Sequence, residues 1–92
     1  KNSAKPSIVL VHGAWADASC WRHVIPKLLD EGYDVSAVQI PESSIADDAK
    51  KVQTVLESKG GPVVLVAHSY GGTVATEAAS NRSNVKAIIY LS

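Results

Sequence analysis

The sequence has no methionine and a single cysteine. Without methionine it reads as something other than an unprocessed translation product, and its polar start, Lys1-Asn2-Ser3-Ala4-Lys5, carries no targeting segment. A signal peptide removed upstream and a start inside a longer gene both fit, so soluble cytoplasmic and secreted settings stay open. With one cysteine, Cys20, no internal disulfide is possible, and the redox compartment is not fixed. An excess of one charge is also lacking. Nine basic and nine acidic residues cancel, which argues against nucleic acid and an anionic membrane as partners. The longest apolar runs, Ile8–Val11 and Val63–Ala67, are strand-sized and far too short for a bilayer. No ligand cluster has metal spacing, so neither a metal nor an organic cofactor is expected.

What is present is enough for one domain: 92 residues, 46% of them hydrophobic. Ile8-Val9-Leu10-Val11 is a β-branched run ending at Gly13, as expected of a strand buried on both faces. Ser19 to Glu31 places Trp21, Val24, Ile25, Leu28 and Leu29 on one helical face, with Pro26 as a kink or restart and Gly32 as the stop. Asp34 to Ile40 reads as a second strand, and Ser36 and Gln39 suit it to an edge. Ser44 with Asp47 resembles a helix N-terminus. Ile45, Ala49, Val52 and Leu56 then mark a stripe that Gly60-Gly61-Pro62 ends. Val63–Ala67 is a third strand, Thr73–Ser80 a helix of small residues, and Val85–Leu91 a fourth strand. This β-α-β-α-β-α-β order predicts an α/β fold, a parallel sheet with helices on both faces. Ligands of such sheets bind at the carboxyl ends of the strands. There the ends of strands one (His12-Gly13-Ala14) and three (His68-Ser69-Tyr70) meet.

Ser69 lies between a buried strand and a helix of small residues. A turn this abrupt strains the middle residue and lifts its side chain clear of the sheet. Residues two before and two after must be small, and Ala67 and Gly71 are. Ala67 departs from the G-x-S-x-G pattern by one methyl group. The following helix aims its first amides and its dipole at the place where negative charge develops in acyl transfer. Ser69 is therefore the candidate nucleophile and Tyr70 N–H the first oxyanion donor. The loop after strand one supplies the second, Ala14 N–H, aimed by the turn at Gly13.

Blander roles suit the neighbouring residues. Adjacent side chains on a sharp turn point apart, so His68 is structural rather than the base of Ser69. His12 is expected to hydrogen-bond within the two loops, and His23 to be a surface or half-buried polar residue. Trp15 and Tyr70 either line a substrate pocket or pack. Cys20 is a small hydrophobe or an exposed bystander, and Asp17, Asp47 and Asp48 read as turn and helix-start residues.

Three stretches, Ile8-Val9-Leu10-Val11-His12-Gly13-Ala14-Trp15, the Trp-Ala-Asp-x-Ser-x-Trp segment from Trp15 to Trp21, and Ala67-His68-Ser69-Tyr70-Gly71-Gly72, together resemble the α/β-hydrolase superfamily. Within it the sequence is similar to bacterial esterase and pyrethroid-hydrolase-like proteins, related to plant methylesterases and hydroxynitrile lyases. The resemblance implies a partial α/β-hydrolase fold, with four parallel strands in spatial order 2-1-3-4. It implies Ser69 as nucleophile and Ala14 and Tyr70 as oxyanion amides. Residues 1–92 are then the N-terminal part of such a domain. The later strands, the cap, and the triad acid and His, which follow the serine in this superfamily, are missing.

The expected activity is that of a serine hydrolase fragment of the carboxylic-ester type, inactive or weak alone. A small-molecule ester is the substrate of the complete enzyme. Two alternatives stay open: a hydroxynitrile-lyase-type enzyme of the same fold, and a non-catalytic self-associating half-domain. Strand 85–91 is a long apolar edge, so self-association or pairing with a complementary fragment is expected there.

Overall fold

Alternation along the first strand sets the architecture. In the computed structural model, which describes residues 5–13, 18–80 and 82–91, strand β1 spans Ser7–Val11. Ile8 and Leu10 enter one core cluster, and Val9 and Val11 enter another. All four are buried, and each contributes roughly 1.5–3 kcal/mol of burial free energy. The remaining strands are β2 (Val35–Val38), β3 (Val63–His68) and β4 (Val85–Leu91). All pairings are parallel, and the order is β2-β1-β3-β4. The unbroken apolar runs β1 and β3 thus take the interior positions, and the interrupted β2 an edge, as expected.

Helices α2 (Ile45–Glu57) and α3 (Tyr70–Ala79) cover one face. There Val9, Val11, Leu65 and Ala67 meet Val52, Leu56, Val74 and Ala78. A 3-10 turn, Ala18–Trp21, and helix α1 (Ile25–Asp30) cover the other. On that side Trp21, Ile25 and Leu28 pack on Ile8 and Leu10. Helix α2 starts as expected: the Ser44 side chain accepts the Asp47 N–H at 3.0 Å.

One expected alternative is met around Pro26, and three expectations need correction. Of the kink or restart expected at Pro26 the structure has the restart: a 3-10 turn is followed by a separate helix that begins at Ile25, with Pro26 in its first turn. In the first turn a proline's missing N–H removes no intrahelical bond. Gly32 at φ 88 ends α1 while Gly32 N–H and Tyr33 N–H reach back to Leu29 O and Leu28 O. So short a helix buries only a narrow stripe, and Val24 and Leu29 stand 39% and 53% exposed rather than on the packed face. Ile45 is likewise exposed at the head of α2, and α3 begins at Tyr70 rather than Thr73.

Strand β4 pairs only with β3 and carries Ile89, Tyr90 and Leu91 at 48%, 58% and 42% exposure. Among the described residues no helix is long and apolar enough to cross a membrane.

Candidate active site

Between β3, which ends at His68, and α3, which begins at Tyr70, the chain spends one residue on the reversal. That residue is Ser69, at φ 55 and ψ −124. A non-glycine residue here costs on the order of 1–3 kcal/mol and persists only when its surroundings over-determine it. Ser69 N–H donates to Leu91 O at 3.0 Å, and Ser69 O accepts Gly72 N–H at 2.8 Å. The hydroxyl makes no capping bond to the helix it precedes, and the residue is exposed. An ordinary cap serine would stand in extended backbone with its oxygen on an amide of the first turn, as Ser44 does.

Glycine makes the turn possible at two places. A Cβ on Gly71 would lie 2.5 Å from His12 O and 2.7 Å from Val11 O, so the start of α3 rests directly on the end of β1. A Cβ on Gly13 would stand 2.9 Å from His68 O and 3.1 Å from Ser69 Cβ. The loop after β1 is thereby pressed against Ser69, and the two strand ends meet. Ala14 and Trp15, the other expected site residues, lie outside the described residues.

The histidines divide by their partners. His12 is fully buried; its Nε2 accepts Ile40 N–H at 3.1 Å, which assigns the ring proton to Nδ1 and directs it to Gly13 O at 2.8 Å. The Glu42 carboxylate lies 3.6 Å from the same Nδ1. His12 is thus a tie between β1 and the segment after β2, rather than between the two site loops alone. His68 and His23 are exposed.

One residue the sequence reading passed over belongs to this neighbourhood. Asp48 stands in the first turn of α2, as expected of a helix-start acid, and is in addition fully buried. It accepts the Tyr70 hydroxyl at 2.6 Å and Ser43 N–H at 3.3 Å. The bond to Asp48, then partial burial and the negative charges of Asp48 and Glu42, push the Tyr70 phenol up to about 12. Tyr70 therefore turns its side chain to α2, while its amide stands first in α3, where an N–H has no intrahelical acceptor. The signal for Asp48 was in the spacing: it lies four residues before Val52 and eight before Leu56, on the buried stripe.

An exposed hydroxyl on a strained turn, beside the amino end of a ten-residue helix, is suited to attack and to anion stabilisation. Among the described residues no group of three or more His, Cys, Asp or Glu is placed to hold a metal.

Comparison with known proteins agrees with this geometry. The pattern described as "Alpha/beta hydrolase family" matches residues 8–92. A probable hydrolase of Phoma sp. is 31% identical over 96% of this chain and 42% of its own length. Methylesterase 7 of Arabidopsis thaliana is 36% identical over 99% of this chain and 40% of its own. Among solved structures, a pyrethroid hydrolase from Sphingobium faniae superposes with a TM-score of 0.80 at 27% identity, over 92% of this chain and 38% of that one. The chain thus spans about two fifths of the length of these relatives. It belongs to the alpha/beta hydrolase family.

Proposed function

We propose that this chain is the nucleophile-bearing part of a serine hydrolase that cleaves carboxylic esters. Ser69 Oγ attacks the acyl carbon, and its proton passes to a general base. The oxygen that becomes negative is held by the amides of Tyr70 and Ala14. Collapse of the tetrahedral species expels the alcohol and leaves an acyl-serine, which water then hydrolyses. The carrying observation is Ser69 itself: positive φ at a one-residue strand-to-helix reversal, exposed, with its hydroxyl uninvolved in capping. Ester chemistry is supported by relatives named as a methylesterase and a pyrethroid hydrolase.

The base is supplied by polypeptide outside these four strands. His12 is unsuited to the task, because its Nε2 already accepts Ile40 N–H in the core. Without a base a serine hydroxyl is a weak nucleophile, so the 92-residue chain alone is expected to turn over esters poorly or not at all.

Treating the natural protein that carries this sequence with an alkyl fluorophosphonate tests the reading. One adduct on Ser69, found by peptide mass mapping, is expected. Ester turnover should fall at least ~10³-fold in Ser69→Ala. An adduct on another residue, or turnover unchanged in Ser69→Ala, overturns it.

A further inference from the structure

We propose that Asp48 is a positioning residue for ester cleavage, holding the Tyr70 amide in register with the oxyanion through its hydrogen bond to the Tyr70 hydroxyl. The inference rests on the reading of Ser69 as nucleophile. A peptide unit is planar, so the direction of Tyr70 N–H follows from the ψ of Ser69. At φ 55 and ψ −124 that residue sits in a sparsely populated region and relaxes unless held from both sides. Upstream it is held by Leu91 O on its own N–H. Downstream, Gly72 N–H holds Ser69 O of the same peptide, and Tyr70 carries the amide and an aromatic side chain on one Cα, so fixing the far end of the ring further limits how the peptide can turn.

Asp48 is built for that purpose. It is fully buried in the first turn of a 13-residue helix whose start is capped by Ser44. The contact, 2.6 Å, has the length of a charge-assisted bond, and Ser43 N–H holds the other oxygen. A first-turn acid favours the start of the helix, but an exposed one would do so without the cost of burial. The rest of the stripe is Ala49, Val52 and Leu56, and a buried charge costs more than a packed apolar side chain.

Four versions of the natural protein, wild type, Tyr70→Phe, Asp48→Asn and Asp48→Asn with Tyr70→Phe, are compared for steady-state ester hydrolysis and fluorophosphonate labelling of Ser69. The temperature is one at which melting curves show all of them folded. Tyr70→Phe keeps the ring and loses only the hydroxyl. It should lower kcat about tenfold, the scale of a sub-ångström misplacement, with KM within about twofold. The labelling rate of Ser69 should fall in parallel. Asp48→Asn keeps an acceptor oxygen and should fall between Tyr70→Phe and wild type. The double variant should be no slower than Tyr70→Phe, because both changes remove one bond. A folded Tyr70→Phe with wild-type kcat and labelling, or losses that multiply in the double variant, overturns the inference. Absence of any Ser69 adduct in the wild type overturns the underlying reading and the inference with it.

Discussion

Replacing Gly71 by alanine perturbs a single contact whose outcome can be worked through. Gly71 has no positive φ, so its backbone accepts alanine, and inside a helix the exchange alone favours alanine by about 1 kcal/mol. Against this, the new Cβ arrives 2.5 Å from His12 O and 2.7 Å from Val11 O. Val11 O ends a strand paired on both sides and His12 O follows it on a residue whose ring is tied to Ile40 N–H, so neither steps aside easily. The start of α3 must instead withdraw by half an ångström at the least to reach the 3.0 Å floor of real contacts. Overpacking costs typically 1–3 kcal/mol, and with backbone on both sides the upper end applies. The net loss is then about 2 kcal/mol. In urea unfolding of the natural protein this appears as a midpoint lower by about 1 M at unchanged slope. Because Gly71 follows Ser69 by two residues, the same withdrawal should lower kcat roughly tenfold. Gly60→Ala and Gly61→Ala are the controls; nothing lies within 4 Å of either new Cβ, and each should stay within about 0.5 kcal/mol of wild type. A Gly71→Ala protein as stable and active as wild type would refute the argument that this contact places the turn.

Three further outcomes follow from other contacts. His12→Phe leaves Ile40 N–H and Gly13 O without their partner in the core and should cost about 2–4 kcal/mol in urea unfolding; equal stability would mean these bonds do not hold β1 to the segment after β2. The folded protein holds the Tyr70 phenolic proton more tightly than the unfolded chain does, so that contribution to stability is fully present below pH 10.0 and is lost as the pH rises toward about 12. Melting curves of wild type and Tyr70→Phe should therefore converge across that window, and a constant gap would exclude the linkage. The isolated 92-residue chain should self-associate through β4, and Ile89→Lys should shift it toward monomer in sedimentation velocity; a wild-type chain that stays monomeric at every concentration counts against this.

Most of the fold was legible because the strongest sequence signals were local. Ile8–Val11 and Val63–Ala67 are unbroken apolar runs, and such runs fit interior parallel strands. Ser44 and Asp47 mark the start of α2 by one side-chain-to-backbone bond, which needs no tertiary context. Ser69 was visible through the small residues around it, whose need for closeness the structure explains at Gly71 and Gly13. What escaped depends on partners distant in sequence. The spacing of Asp48 puts it on the buried stripe, but its main partner, the hydroxyl of Tyr70, comes from 22 residues on. The face of α1 is not legible for a different reason: a restart at Pro26 leaves a six-residue helix too short to bury every member of the apolar pattern, so Val24 and Leu29 stay exposed.

The bond from Ser69 N–H to Leu91 O has a consequence for how the site comes to order. It hangs the turn from the final residue of an edge strand, paired on one side alone. A strand added along the open side of β4 would narrow the excursions of Leu91 and, through one amide, those of Ser69. Linkage then runs both ways: a ligand that holds Ser69 in its strained conformation also tightens the pairing at β4. Order at the outer edge of the sheet and the conformation of Ser69 are in this sense one equilibrium.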